Sequence, residues 1–172
     1  DREEGFPLAM QGPYGPPLHP PLAREVIAET EEHVVVRDEE GNVVRLMRDD
    51  PLRSMPEWSA YPMRDRGDWE RIIEPRMDAK IPGRCPSGAE LDRAVADASR
   101  RDHPLGIWCG SFYGWPRSFL GVERMSLMLY DDPGLGREMC EHIADFVIEA
   151  VSPLLGRVTF DVAYLWEDMA GK

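Results

Sequence analysis

The chain of 172 residues has no apolar run approaching the ~20 residues needed to cross a bilayer, and no secretory hydrophobic segment near its start. Cysteine is scarce. Cys85, Cys109 and Cys140 stand without Cys-x-x-Cys spacing, which argues against metal binding by these three alone and fits reduced thiols in a cytoplasmic compartment. Positive charge is short as well: 20 Lys and Arg against 32 Asp and Glu leave a net charge of −12 and a pI near 4.8. Neither nucleic acid nor an anionic membrane surface is therefore expected as the main partner. There is no P-loop, no Gly-x-Gly-x-x-Gly after a strand, no Gly-x-Ser-x-Gly and no His-Glu-x-x-His. Nucleotide hydrolases, classical dehydrogenases, serine hydrolases and zincins have no support.

What is present fits one globular domain with a real core, at 42% hydrophobic residues. Residues 1–30 read as a Pro- and Gly-rich loop or arm, because Gly12-Pro13, Gly15-Pro16-Pro17 and Pro20-Pro21 forbid helix and ladder alike. Across 31–48, two Val-rich runs, His33–Arg37 and Val43–Met47, flank a polar turn with Gly41 at a left-handed position, the pattern of a β-hairpin. Residues 50–62 return to Pro-punctuated loop. Asp68 then reads as the N-cap of a short helix that Pro75 truncates, and Ser87 as the cap of a helix over about 88–101.

From Leu105 the pattern becomes strand, loop, helices, strand. Leu105–Cys109 is a short apolar strand, and 110–117 an aromatic, Gly-rich loop. Helical sequence covers Val122 to Tyr130, and Asp132 with Pro133 signals a second start. Leu135, Met139, Ile143, Phe146, Val147, Ala150, Val151 and Leu154 place one apolar stripe on that long helix, which Pro153 and Gly156 end. The run Val158–Trp166, β-branched and aromatic, reads as a strand buried on both faces. A crossover between parallel strands opens both carboxyl ends on one edge, where ligands bind in parallel α/β folds. The aromatic loop and the pair Glu167-Asp168 should therefore face one cavity.

That cavity would offer Phe112, Tyr113 and Trp115 as an aromatic floor, Arg117 as a bidentate partner for a carboxylate or phosphate, and Glu167 or Asp168 as hydrogen-bond acceptors or proton carriers. A small organic molecule with flat apolar parts and anionic groups fits this set. The same residues also fit rim packing with a structural ion pair from Arg117 to Glu167 or Asp168.

Pro104-Leu105-Gly106, the Gly-aromatic loop, Tyr130-Asp131-Asp132-Pro133, the long amphipathic helix and Trp166-Glu167-Asp168-Met169-Ala170-Gly171 together resemble the uroporphyrinogen decarboxylase family. That superfamily includes corrinoid- and cobalamin-dependent methyltransferases. The resemblance runs from about Pro20 onward and implies a (β/α)8 TIM barrel of ~250 residues or more. This chain would be an incomplete, internal piece of it: the hairpin inserted near the N-terminus, then helices and two barrel strands over 68–172. It implies a carboxy-lyase of porphyrin metabolism that needs no cofactor, with Glu167 and Asp168 catalytic and Phe112, Tyr113, Trp115 and Arg117 binding substrate. Asp168 stands where the decarboxylases keep a serine, which opens a second reading, a zinc- and corrinoid-dependent methyltransferase whose zinc ligands would lie outside this chain. A third is a non-catalytic ligand-binding barrel. The resemblance leaves room for a homodimer of the full-length parent.

Overall fold

A computed structural model describes residues 15–48 and 56–167. The architecture is mixed α/β, built from two separate sheets and a helical layer, and the described residues contain no closed barrel.

The first sheet is an antiparallel meander of β1 (Glu25–Glu29), β2 (His33–Arg37), β3 (Val43–Met47) and β4 (Glu57–Ala60), in that order. The expected hairpin forms its centre, with Val34 opposite Leu46 and Val36 opposite Val44. Its turn is held by Asp38, whose carboxylate accepts from the N–H of Glu40 at 3.0 Å and of Asn42 at 2.8 Å. Gly41 takes φ +89°, the left-handed conformation expected of it. The two outer strands correct the expectation of loop at 25–29 and 57–60. Both are short and exposed along their whole length, so no apolar alternation betrays them. Pairing to the central hairpin makes them strands. Ion pairs Arg37–Glu25, Arg48–Glu29 and Arg45–Glu57 lie across the ladders, and at this exposure they fix register more than they add stability.

α1 (Arg66–Asp68) runs on through a π-helical turn over Trp69–Ile73 and a 3-10 turn over Glu74–Arg76. Its cap is Asp65, which accepts from the N–H of Asp68 at 3.1 Å; the expected cap, Asp68, lies inside the helix. α2 (Gly88–Ser99) follows Ser87 as expected, although no side-chain cap bond forms there. α3 (Gly114–Leu120) occupies what reads as loop. Pro116 is its third residue, where the missing N–H would have had no partner within the helix. α4 (Val122–Asp131) and α5 (Pro133–Leu155) come as expected, with Asp132 accepting from the N–H of Leu135 at 2.9 Å.

The core lies between α5 and the segment from Met63 to Met77. Seven residues of the α5 stripe, from Leu135 to Val151, are buried with Trp69, Ile73, Phe119 and Met125. Each such side chain contributes on the order of 1.5–3 kcal/mol by leaving water. β5 (Gly106–Trp108) and β6 (Val162–Tyr164) form the second sheet, parallel, with Gly106 beside Val162 and Trp108 beside Tyr164. The crossover through α3, α4 and α5 is as expected, but the burial of its last strand is not. All three residues of β6 are exposed, and only Val158 of the long apolar run is buried. Within the described residues β6 has one strand neighbour, β5, so its other edge has no strand beside it.

Candidate functional site

Two carboxylates tie the segment of β6 to the segment of β5, one at each end. At the amino ends, Asp161 accepts from the N–H of Leu105 at 2.8 Å and from the Arg101 guanidinium at 3.1 Å. The bond from Leu105, and then Arg101, holds its carboxyl below the ordinary aspartate range. At the carboxyl ends the chain of β6 continues through Trp166, whose N–H donates to the Gly110 carbonyl at 3.1 Å, to Glu167. One oxygen of Glu167 accepts from the N–H of Phe112 and the other from the N–H of Tyr113 at 3.1 Å.

The loop so held is shaped by its own residues. Gly110 has φ +76°, and a Cβ there would lie 2.7 Å from Cη2 of Trp115, so only glycine lets the turn close over that indole. Ser111, fully buried, accepts from the N–H of Gly114 at 2.6 Å through Oγ. Cys140 on α5 places its thiol 3.9 Å from the Phe112 carbonyl. Burial, then the nearby carboxylates of Glu167 and Glu141, pushes that thiol up. Burial does the same to Cys85 and Cys109, so none of the three is set up as a thiolate nucleophile.

The structure thus brings Glu167 to the aromatic loop across the two strand ends, as the crossover predicts. Its oxygens accept from backbone donors just before α3. Phe112 and Tyr113 are half-buried and supply those donors, with the Tyr113 hydroxyl 3.5 Å from Ser126 Oγ. Trp115 is no open floor: it is 6% exposed and packs in the core with its ring centroid 6.2 Å from that of Phe146. Arg117, two residues on, lays its guanidinium 5.6 Å from the centroid of the Trp166 indole. Asp168 lies outside the described residues. The aromatic residues that line the strand pair itself, Trp108, Tyr164 and Trp166, were missing from the expected set. Trp108 and Tyr164 are neighbours in register, which only the pairing of β5 with β6 reveals.

A separate cleft of about 600 Å³ opens where Arg64 and Arg66 meet α4 and the start of α5. Arg66 spans it to Asp132 at 3.3 Å and to Glu138. It shares no lining residue with the strand ends. Among the described residues no group of three or more His, Cys, Asp and Glu could hold a metal ion, and no helix is long and apolar enough to cross a membrane.

No family model, curated protein or solved structure matches the chain.

Proposed function

We propose that the chain is part of a barrel enzyme of the uroporphyrinogen decarboxylase family, a carboxy-lyase acting on a small anionic substrate at the shared carboxyl edge of β5 and β6. The observation that carries this reading is the parallel register of Gly106–Trp108 with Val162–Tyr164, which puts the loop after one strand and Glu167 after the other within hydrogen-bonding reach. In this fold class that edge is where substrates bind. Arg117 would pair a substrate carboxylate. Glu167 would hold the loop in place, and the proton needed by the carbon that loses carbon dioxide would come from another group, with Asp168 the nearest in sequence. Decarboxylation leaves the bonding electron pair on carbon, and that proton completes the step. Anaerobic assay of the full-length parent with uroporphyrinogen should release carbon dioxide; no release refutes the reaction.

One observation favours a second reading. Asp168 stands where the resemblance leads one to expect a neutral hydroxyl, and a carboxylate there would repel a polycarboxylate substrate. A zinc- and corrinoid-dependent methyltransferase meets no such conflict. By the resemblance, its zinc would be held by residues beyond this chain. A His-x-Cys pair with a distal Cys in the remaining gene, and zinc in the purified parent, would decide for it.

A further inference from the structure

The cleft beside Arg66 continues past Arg64 into a second chamber. That chamber, about 590 Å³ in volume, shares Arg64, Leu120, Glu123 and Arg124 with the first. These four residues therefore stand where the two chambers meet. The chain around them is tied down. The N–H of Met63 donates to the Phe119 carbonyl at 3.1 Å, and the N–H of Arg64 to the Asp68 carboxylate at 3.0 Å. Gly121, which joins α3 to α4, has φ +80°, and a Cβ there would lie 2.5 Å from Cε2 of Tyr61. Glycine at this position lets the Tyr61 ring close against the start of α4 and shape the second chamber.

The charges at the junction are not spent on the fold. Among the described residues the side chains of Arg64, Glu123 and Arg124 form no ion pair or hydrogen bond. The neighbouring charges are mostly committed: Arg66 is held by Asp132 and Glu138, Asp132 also caps α5, and Asp65 caps α1. Asp131 makes no such bond either, but it lines the first chamber alone. Along α4, Arg124, Leu127, Met128 and Asp131 recur at three- and four-residue spacing, so they share one face. Leu127 is 54% exposed one turn from Arg124, and the same chamber is floored by the buried Leu120 and Leu135.

Two guanidiniums and one carboxylate at a single junction, next to an apolar wall, select a ligand by its charges. A simple anion satisfies the arginines but faces Glu123, and a simple cation faces two guanidiniums. A zwitterion with an apolar side chain satisfies all three groups at once. It must also be small, because about 5.4 Å of helix separates Arg124 from the turn that carries Leu127 and Met128.

We propose that this cleft binds an apolar α-amino acid: Arg64 and Arg124 hold its carboxylate, Glu123 its ammonium, and Leu127 with Met128 its side chain. The site does not rest on the enzyme reading, since neither chamber shares a lining residue with the carboxyl edge of β5 and β6.

The probe is L-phenylalanine, with 3-phenylpropanoate and 2-phenylethylamine beside it, each titrated calorimetrically into the chain at neutral pH. Saturable one-site binding of phenylalanine is expected, about tenfold tighter than of either analogue, the equivalent of one charge-assisted contact. Arg124→Gln should weaken phenylalanine and 3-phenylpropanoate about tenfold and leave 2-phenylethylamine no weaker, and Arg64→Gln should do the same. Glu123→Gln should weaken phenylalanine and 2-phenylethylamine about tenfold and leave 3-phenylpropanoate no weaker. Leu127→Ala should weaken all three ligands severalfold, whereas Asp131→Asn should change none by more than about twofold. All five side chains are on the surface or line the open cleft, and circular dichroism checks that each variant folds. No saturable binding of phenylalanine at millimolar concentration would overturn the proposal. So would an analogue that binds as tightly as phenylalanine, or phenylalanine binding indifferent to Arg124→Gln or to Glu123→Gln.

Discussion

Glu167 shows how far a residue type can be read and where reading stops. A carboxylate just past an apolar run at the end of a crossover is visible in sequence, and so is its arrival at the same edge as the aromatic loop. Its partners are not, because backbone donors at 112 and 113 carry no letter of their own. The same holds for Trp115. Its neighbours Phe112 and Tyr113 are half-buried, yet the turn at Gly110 drives Trp115 inward against Phe146. That turn makes a sharp prediction. Gly110→Ala forces an alanine to φ +76° and a methyl to 2.7 Å from the indole. Chemical denaturation should show a loss of about 1–3 kcal/mol from the backbone conformation alone, and more from overpacking against Trp115.

At the scale of elements, legibility follows burial and capping chemistry. α5 was readable because Asp132-Pro133 marks its start and its stripe recurs at three- and four-residue spacing, and the structure buries that stripe. Met139, fully buried in its middle, should cost about 2–5 kcal/mol when cut to alanine, measured as a lowered urea midpoint. α3 was hidden by glycine and proline, which usually break helices but are tolerated in a first turn. β1 and β4 were hidden by exposure. The run from Val158 to Trp166 misled in the opposite sense: apolar composition matched a buried strand, but coverage depends on neighbours, and only Val158 is covered among the described residues.

Two aspartates at element ends also set an acid response. Asp132 is held low by the N–H of Leu135 and then by Arg66, and Asp161 by the N–H of Leu105 and then by Arg101. Each therefore titrates lower folded than unfolded. Their contribution to stability is complete above the ordinary aspartate value of about 4 and is lost as pH falls through the lowered folded values. Acid titration by circular dichroism should show unfolding below that point, and Asp132→Asn or Asp161→Asn should lessen the dependence of stability on pH there.

For the whole molecule, two sheets of different character share one chain. The antiparallel meander carries charge on its outer strands, Glu25 and Glu29 on β1 and Glu57 on β4, which discourages edge pairing. The parallel pair has no such guard. Val162, Tyr164, Leu165 and Trp166 are exposed beside backbone that pairs on one side only among the described residues. The chain alone should self-associate through this region, seen as oligomers in sedimentation velocity that Val162→Lys reduces. A soluble monomer with a sharp cooperative melt would contradict that.

The account as a whole rests on one junction, the meeting of the two strand ends at Glu167. Amide hydrogen exchange of Phe112 and Tyr113, followed by NMR in the wild-type chain and in Glu167→Gln, tests it most directly. The account predicts slow exchange of both amides in the wild type. In the variant at least one should exchange about tenfold or more faster, because a glutamine has one acceptor oxygen for two donors and a lost bond to a charged acceptor is worth about 1.5–3 kcal/mol. Equal exchange of both amides in the two proteins, slow or fast, would contradict it.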